Sequence, residues 1–144
     1  CDPTAWLSIP EAIRFLRGLF PGGIPGLMAR NRSLALEARR LLSEALGVPA
    51  PCPAGTIGAM ASVPLPAVPA GAAAAGLDHD AITDLFFERH RIETWLYAWP
   101  LAGSLVLRVA AQAYNDLEEY RRLALAAREI LLGAVPEGVL ARPG

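Results

Sequence analysis

The stretch SLVLRVAAQAYNDLEEYRR, residues 104–122, decides the fold, because it combines a strand, a tight turn and an amphipathic helix. The residues that alternate onto one face of the strand are Leu105, Leu107, Val109 and Ala111. The same alternation directs Arg108 to the opposite face, between Val106 and Ala110. A full charge among small apolar neighbours is unfavourable unless an anion meets it, so we expect an anionic partner for Arg108.

The helix in this stretch has signals at both ends. Asn115 is the predicted N-cap, with Glu118 three residues later, and Gly133 is the predicted end. Glu118 and Arg122 stand four residues apart, a spacing that favours an ion pair on the helix surface. The predicted apolar face consists of Leu117, Tyr120, Leu123, Ala124, Ala127, Ile130 and Leu131.

Two further strands are predicted upstream. Residues 57–65, IGAMASVPL, form a strand of small residues whose terminal prolines place it at a sheet edge. Residues 92–99, IETWLYAW, alternate sharply, and their first face carries Glu93, Trp95, Tyr97 and Trp99. Such an aromatic row either packs against a helix or another domain, or forms the wall of a ligand pocket. The sequence leaves both interpretations open.

Three more helices are predicted from capping signals and periodicity. The first begins at Ser8, with Glu11 three residues later completing a capping box. Its predicted buried stripe is Ala12, Phe15, Leu16 and Leu19. The second runs from about Gly26 to Leu46, and the third, which carries Ile82, Leu85 and Phe86, has Asp78 or Asp80 as its N-cap.

The order helix, helix, strand, helix, strand, strand, helix predicts an α+β fold. We expect a small domain with a three-stranded, mainly antiparallel sheet, covered on one face by helices and preceded by a connecting helix. We expect residues 1–25 to form a connecting helix and hinge, residues 26–133 a small domain, and residues 134–144 a loose tail. The other sheet face needs cover, and the chain starts at Cys1 without a methionine. We therefore expect a piece of a longer polypeptide.

The composition restricts the possible functions. A net charge of −1 gives no electrostatic case for nucleic acid or an anionic membrane, and no apolar run reaches the roughly 20 residues that span a bilayer. The two cysteines, Cys1 and Cys52, suit a reducing cytosol as well as any other compartment. We expect a cytoplasmic protein. All 13 basic residues are arginines. Without lysine, this chain alone supports no Schiff-base chemistry.

Other polar groups have ordinary structural explanations. Residues 78–80, Asp-His-Asp, suggest a metal site, but helix capping explains the acids better, and we expect no metal. His90 is expected to cap or pack at its helix end rather than act as a base. Arg30 and Arg32 form either an anion-binding patch or a solvent-facing pair.

Five motifs, in order along the chain, resemble the C-terminal segment of class V aminotransferase-fold enzymes. They are DPTAWLSIPEAI at residues 2–13, MARN with LALEARRLLSEALG within residues 28–47, IGAMASVPLP at 57–66, LFFERHRIE at 85–93 and LRVAAQAYNDLEEYRRL at 107–123. These enzymes are fold-type-I, pyridoxal-phosphate-dependent proteins, and the chain is most similar to the isopenicillin N epimerase-like group. The resemblance covers residues 2 to about 132.

The resemblance implies that Arg108 binds the α-carboxylate of an amino-acid substrate, for which a guanidinium fork is suited. The alternative is an ion pair between Arg108 and Glu93 across the sheet. The resemblance also implies pyridoxal 5′-phosphate, bound mainly by the large domain of the same polypeptide, and a homodimer.

The family's Schiff-base lysine and most of its cofactor ligands belong to that large domain, so we expect no catalytic residue in this chain and no activity from it alone. Cysteine desulfurases of the class carry a nucleophilic cysteine before the arginine strand, whereas residues 98–103, AWPLAG, contain none. Persulfide chemistry is therefore disfavoured, and the resemblance to the isopenicillin N epimerase-like group implies an epimerase-like activity. The alternatives are a C–S or β-lyase or desulfurase-like member, or a stand-alone α+β module that binds amino acids.

Overall fold

A computed structural model describes residues 2–67, 76–99 and 104–133. The predicted tail, residues 134–144, lies outside the described residues. The helices are α1 (Thr4–Leu7), α2 (Ile9–Leu19), α3 (Gly23–Leu46), α4 (His79–His90) and α5 (Leu117–Leu132), with a 3₁₀ turn at Ala54–Thr56. The strands are β1 (Met60–Pro64), β2 (Trp95–Ala98) and β3 (Leu105–Ala110).

The three strands form an antiparallel sheet in the order β1-β3-β2. Strand β3 is therefore central, and its residue Arg108 pairs with Ser62 on β1 and with Trp95 on β2. The predicted α+β class, with an antiparallel three-stranded sheet packed on helices, is confirmed. Both outer strands are shorter than predicted, since the structure begins β1 at Met60 and β2 at Trp95.

The hydrophobic core lies between one face of the sheet and helices α3, α4 and α5. Leu107 and Val109 on β3 contribute to it, as do Phe86 on α4 and Leu42 on α3. The predicted apolar face of α5 is also part of this core, apart from Leu117, which is half-buried. The alternation predicted for the central strand is confirmed, and it places Arg108 on the face away from the helices.

The first predicted helix differs from the structure in its start and in its burial. Ser8 separates α1 from α2 in a helical backbone conformation, and its hydroxyl donates to the carbonyl of Ala5 instead of capping α2. The predicted capping box is therefore wrong. The predicted stripe is also unburied, since no residue of α2 is buried and Phe15 is 65% exposed. Within the described part of the chain, α2 contacts α1 and α3, and these contacts leave most of its large apolar side chains exposed.

The last helix starts one residue later than predicted. Asp116, not Asn115, is the N-cap, and it forms a capping box with Glu119. The side chain of Asn115 does not cap the helix, because its Oδ1 accepts from the backbone N–H of Gln112 in the turn before the helix. The predicted pair of Glu118 with Arg122 is replaced by a contact of Glu118 with Arg121, three residues away, at 3.3 Å.

Three arginines of α3 form hydrogen bonds to the backbone of neighbouring loops. Arg30 and Arg32 are therefore neither an anion-binding patch nor a simple solvent-facing pair, the two predicted alternatives. Arg30 donates to the carbonyls of Gln112 and Asn115, at 3.0 and 2.7 Å. Arg32 donates to the carbonyls of the loop that precedes β1. Arg39, which is buried, donates to the carbonyl of Cys52 at 2.9 Å. Because these guanidinium groups satisfy backbone oxygens, they are structural, and they fix the loops between the helices and the sheet.

The residue that ends α3 allows the energetic cost of a left-handed backbone conformation to be measured without a steric clash. Gly47 ends the helix with a left-handed φ of 66°, and a Cβ atom added to it meets no atom within 4 Å. We expect Gly47→Ala to lower the free energy of unfolding by about 1–2 kcal/mol through the left-handed backbone. Gly55 is equally unobstructed without a positive φ, so Gly55→Ala is the matched control and is expected to cause no loss. Urea unfolding of both variants measures the difference; equal effects would contradict this explanation.

Candidate functional site

The candidate site is the sheet face that the helices leave open. Arg108 lies at its centre, on the middle strand, and its side chain is exposed. The neighbouring positions on the two outer strands are Ser62 and Trp95. The position of Arg108 thus follows from the central place of β3, and the orientation of its side chain follows from the alternation along the strand.

Two aromatic rings hold the guanidinium group. Its central carbon lies 5.9 Å from the centre of the Trp95 ring and 5.8 Å from the centre of the Tyr97 ring. Tyr97 is in turn fixed by a residue of the opposite edge strand β1, because its hydroxyl is hydrogen-bonded across β3 to the Ser62 hydroxyl at 3.0 Å. Attraction between the cation and the ring faces stabilises this arrangement without using the guanidinium N–H donors.

The alternative partner, Glu93, is not paired with Arg108. Among the residues that the structure describes, no carboxylate lies within 4.0 Å of the Arg108 guanidinium nitrogens. The ion pairs that arginines do form lie elsewhere, on the surfaces of α2, α3 and α5. The charge of Arg108 is therefore compensated by aromatic rings and solvent within this part of the chain.

A cavity of about 610 Å³ opens beside Arg108, and we call it the arginine cavity. Strand β2 begins opposite Arg108, so the last residues of β3 have no partner on that side, and the α4–β2 loop and the start of α5 enclose the gap. The cavity is lined by Thr83, Arg91, Ile92, Glu93, Thr94, Trp95, Arg108, Val109, Ala110, Asn115, Glu119, Tyr120, Arg122 and Leu123.

Tyr120 closes the inner wall of the arginine cavity. Its hydroxyl donates to the carbonyl of Ala110 at 2.7 Å, and burial raises the pKa of this phenol above its ordinary value. A phenol with an ordinary pKa is already protonated at neutral pH, and the raised pKa keeps it so at higher pH, so the hydroxyl remains a donor. Tyr120 therefore lines the cavity and holds the end of β3 through its hydrogen bond, and it does not act as a proton acceptor.

A second cavity, of about 590 Å³, lies on the same open face beyond Tyr97. Tyr97 and Trp99 belong to its lining, together with several prolines and Cys52. Trp95 and Trp99 are each 61% exposed, whereas the alternate residue Leu96 lies in the core. The row is therefore not packed against a described helix, and its exposure is compatible with a pocket wall and with a surface that another domain covers.

The other predicted candidates have structural roles. Asp78 is the N-cap of α4 and accepts from the backbone N–H of Ala81 at 2.9 Å. His90 ends α4, with its Nε2 atom 3.4 Å from a carboxylate oxygen of Glu129 on α5. Within residues 2–67, 76–99 and 104–133, no three His, Cys, Asp or Glu side chains converge in a way that could hold a metal ion.

The sequence reasoning missed two members of the arginine cavity, Arg91 and Arg122. Arg91 directly follows α4, and Arg122 lies one turn into α5, so only the packing of these helices against the sheet brings both beside Arg108. The signal available in the sequence was weak. Arg91 occupies a helix C-terminus where glycine is favoured.

The fold and the open face define a class of protein: an α+β domain with an arginine, two aromatic rings and a cavity on the uncovered side of its sheet. No protein-family model matches the chain, and no curated protein is significantly similar to it. Over the described residues, no helix combines the length and the apolar character needed to cross a bilayer.

Proposed function

We propose that the chain is the C-terminal small domain of a class V aminotransferase-fold, pyridoxal-phosphate-dependent enzyme of the epimerase-like branch, acting on an amino acid. Arg108 binds the α-carboxylate of the substrate. The observation that carries the proposal is the state of this side chain: it lies on an open sheet face, held by two rings, beside a cavity and without a carboxylate partner among the described residues.

The geometry around Arg108 suits carboxylate binding. Trp95 and Tyr97 limit the positions that the guanidinium group can take, which reduces the conformational entropy lost when a ligand binds. Its N–H donors stay available for two parallel hydrogen bonds to one carboxylate. The Tyr97–Ser62 hydrogen bond supports the ring that lies nearest to the guanidinium, so the site is orientated before a substrate arrives.

The residues present do not fit the cofactor by themselves. The chain contains no lysine, so it has no side-chain amine that could hold pyridoxal phosphate covalently. We therefore assign no reaction step to this chain beyond binding and orientating the substrate. The cofactor and the catalytic groups are proposed to come from the large domain of the same polypeptide, in a cytoplasmic homodimer.

Two exposed apolar surfaces support the proposal of a covering domain. The first is the open sheet face, where Trp95 and Trp99 are exposed. The second is the helix pair α1 and α2, whose exposed large side chains include Trp6, at 75%, and Phe15. Several large apolar side chains exposed on one element are typical of surfaces that another domain covers.

The test uses the polypeptide encoded by the full reading frame that contains this chain. We expect it to bind pyridoxal 5′-phosphate and, after borohydride reduction and proteolysis, to yield a pyridoxyl-lysine peptide from outside residues 1–144. The chain of 144 residues alone is the control, and we expect it to yield no such peptide, because it has no lysine. Absence of a lysine adduct in the full polypeptide, or turnover of an amino acid by the control, would reject the proposal.

A second candidate function is a stand-alone α+β module that binds amino acids through Arg108. The observation that favours it is that the described residues contain a hydrophobic core of their own, between the sheet and helices α3, α4 and α5. The same reading frame separates the two: a lysine-bearing domain upstream supports the enzyme, and an unrelated domain or none supports the module.

A further inference from the structure

Three arginines line the arginine cavity, and none of them has an ion-pair partner among the described carboxylates. Arg108 lies against Trp95 and Tyr97. The guanidinium carbon of Arg91 lies 5.4 Å from the centre of the Phe87 ring. The third, Arg122, makes one long contact, with Nη2 at 3.5 Å from the carbonyl oxygen of His90.

Two acids line the same cavity without neutralising these arginines. Glu119 is committed to the start of α5, where one of its oxygens accepts from Asn115 Nδ2 at 2.9 Å and from the backbone N–H of Asp116 at 3.2 Å. Glu93 is exposed and forms no ion pair within the described part of the chain. With three cationic and two anionic groups on its walls, the cavity carries an excess of positive charge, and its arginines retain free donors.

The backbone at Arg91 points to a requirement for this side chain. Arg91 ends α4 in the left-handed region, with φ of 55°, and among the described residues it is the one non-glycine residue with positive φ. Glycine would adopt this conformation without strain, whereas an L-residue with a β-carbon loses about 1–2 kcal/mol. A strained residue at the wall of a cavity is a candidate for a functional side chain.

We infer that the arginine cavity binds an amino acid with an acidic side chain, so that Arg108 holds the α-carboxylate while Arg91 and Arg122 bind the second carboxylate. This inference rests on the proposed function and specifies its substrate class. A monocarboxylate leaves two guanidinium groups of the cavity without an anion, whereas a dicarboxylate uses them. A cavity of about 610 Å³ has room for such a molecule.

The test is calorimetric titration of the polypeptide encoded by the full reading frame that contains this chain, at low salt, with L-glutamate and with L-glutamine, which has nearly the same shape but lacks the second charge. We expect glutamate to bind at least about tenfold more tightly than glutamine, because one additional hydrogen bond between charged groups changes the affinity by about this factor. Arg91→Gly and Arg122→Gln should each reduce this preference, because each variant should weaken the binding of the charged glutamate side chain more than that of the neutral glutamine side chain. Arg91→Gly also removes the backbone strain, so its unfolding free energy should not fall below that of the wild type.

The matched control is Arg121→Gln, because Arg121 contacts Glu118 on the exposed side of α5 and is absent from the cavity wall. It should leave the preference intact. Equal affinity for both amino acids, a preference that survives both cavity variants, or binding of both weaker than about 1 mM would overturn the inference. Inorganic phosphate that displaces glutamate at equal concentration would also overturn it, since the cavity would then select a compact dianion.

Failure of the proposed function gives a different result. If Arg108→Lys weakens glutamate and glutamine by the same factor, the α-carboxylate role holds, whatever the outcome for the second carboxylate. If Arg108→Lys changes neither affinity while Arg91→Gly and Arg122→Gln still reduce the preference for glutamate, the cavity selects acidic side chains and the role of Arg108 is rejected.

Discussion

Replacement of Phe86 by alanine should lower the free energy of unfolding by about 3–5 kcal/mol. Phe86 is fully buried, at 0% exposure, in the centre of the core between α4 and the sheet. Removing its ring forfeits the burial of a large apolar side chain and leaves a cavity that the surrounding residues fill only in part. Since a domain of this size has a total stability of about 5–15 kcal/mol, the loss would take a large share of it.

The adjacent residue is the matched control for this prediction. Phe87 is 50% exposed on the same helix, and its ring faces Arg91. Phe87→Ala should therefore cost at most about 1 kcal/mol, the contribution of an exposed cation–aromatic contact. Urea unfolding followed by far-UV circular dichroism compares the two variants. If both lost the same stability, α4 would not be packed against the sheet as described.

The central strand and the fold class could be predicted because they depend on local patterns. Alternation at a period of two placed Leu107 in the core and Arg108 on the open face, and both positions are confirmed. Apolar positions three and four residues apart likewise identified α3 and α5. These patterns determine which side of each element meets the core, and three strands with one apolar face leave few ways to pack.

The helix starts were harder to predict, because several residues near each start offer capping groups. In the turn before α5, Asn115 and Asp116 both have side chains able to cap, and the hydrogen bond of Asn115 to Gln112 decides between them. At Ser8 the hydroxyl has an acceptor in the preceding turn, the Ala5 carbonyl, which competes with capping. Such choices depend on the geometry of the turn and not on composition.

The cavity beside Arg108 could not be predicted, because it depends on where strands end and how helices pack. Strand β2 starts at Trp95, and only this late start leaves the end of β3 unpaired. Arg91 and Arg122 are 31 positions apart in the chain and reach the same cavity through the packing of α4 on α5. The strand pattern in the sequence was enough to identify Arg108, whereas Arg91 and Arg122 become visible as cavity residues only in the tertiary structure.

Arg108→Lys in the complete polypeptide should reduce kcat/KM for its amino-acid substrate by about 10- to 150-fold. This range corresponds to the loss of one hydrogen bond between charged groups, about 1.5–3 kcal/mol. Lysine keeps the charge, but a single ammonium group does not reproduce the two parallel donors of a guanidinium, and it interacts differently with Trp95 and Tyr97. Because the lost contact is to a carboxylate that does not react, the effect should appear mainly in KM.

Arg121→Lys serves as the control for the charge-preserving change, since Arg121 lies on the outer surface of α5 with Glu118 at 3.3 Å. Its kcat/KM should equal that of the wild type. Amide substrates, in which the α-carboxylate is replaced by a carboxamide, provide a further check: their already low kcat/KM should be insensitive to Arg108→Lys, because the bidentate partner is absent. If Arg108→Lys retained the wild-type kcat/KM with the carboxylate substrate, Arg108 would be excluded from substrate binding. The anion that compensates its positive charge would then have to be a group of the covering domain.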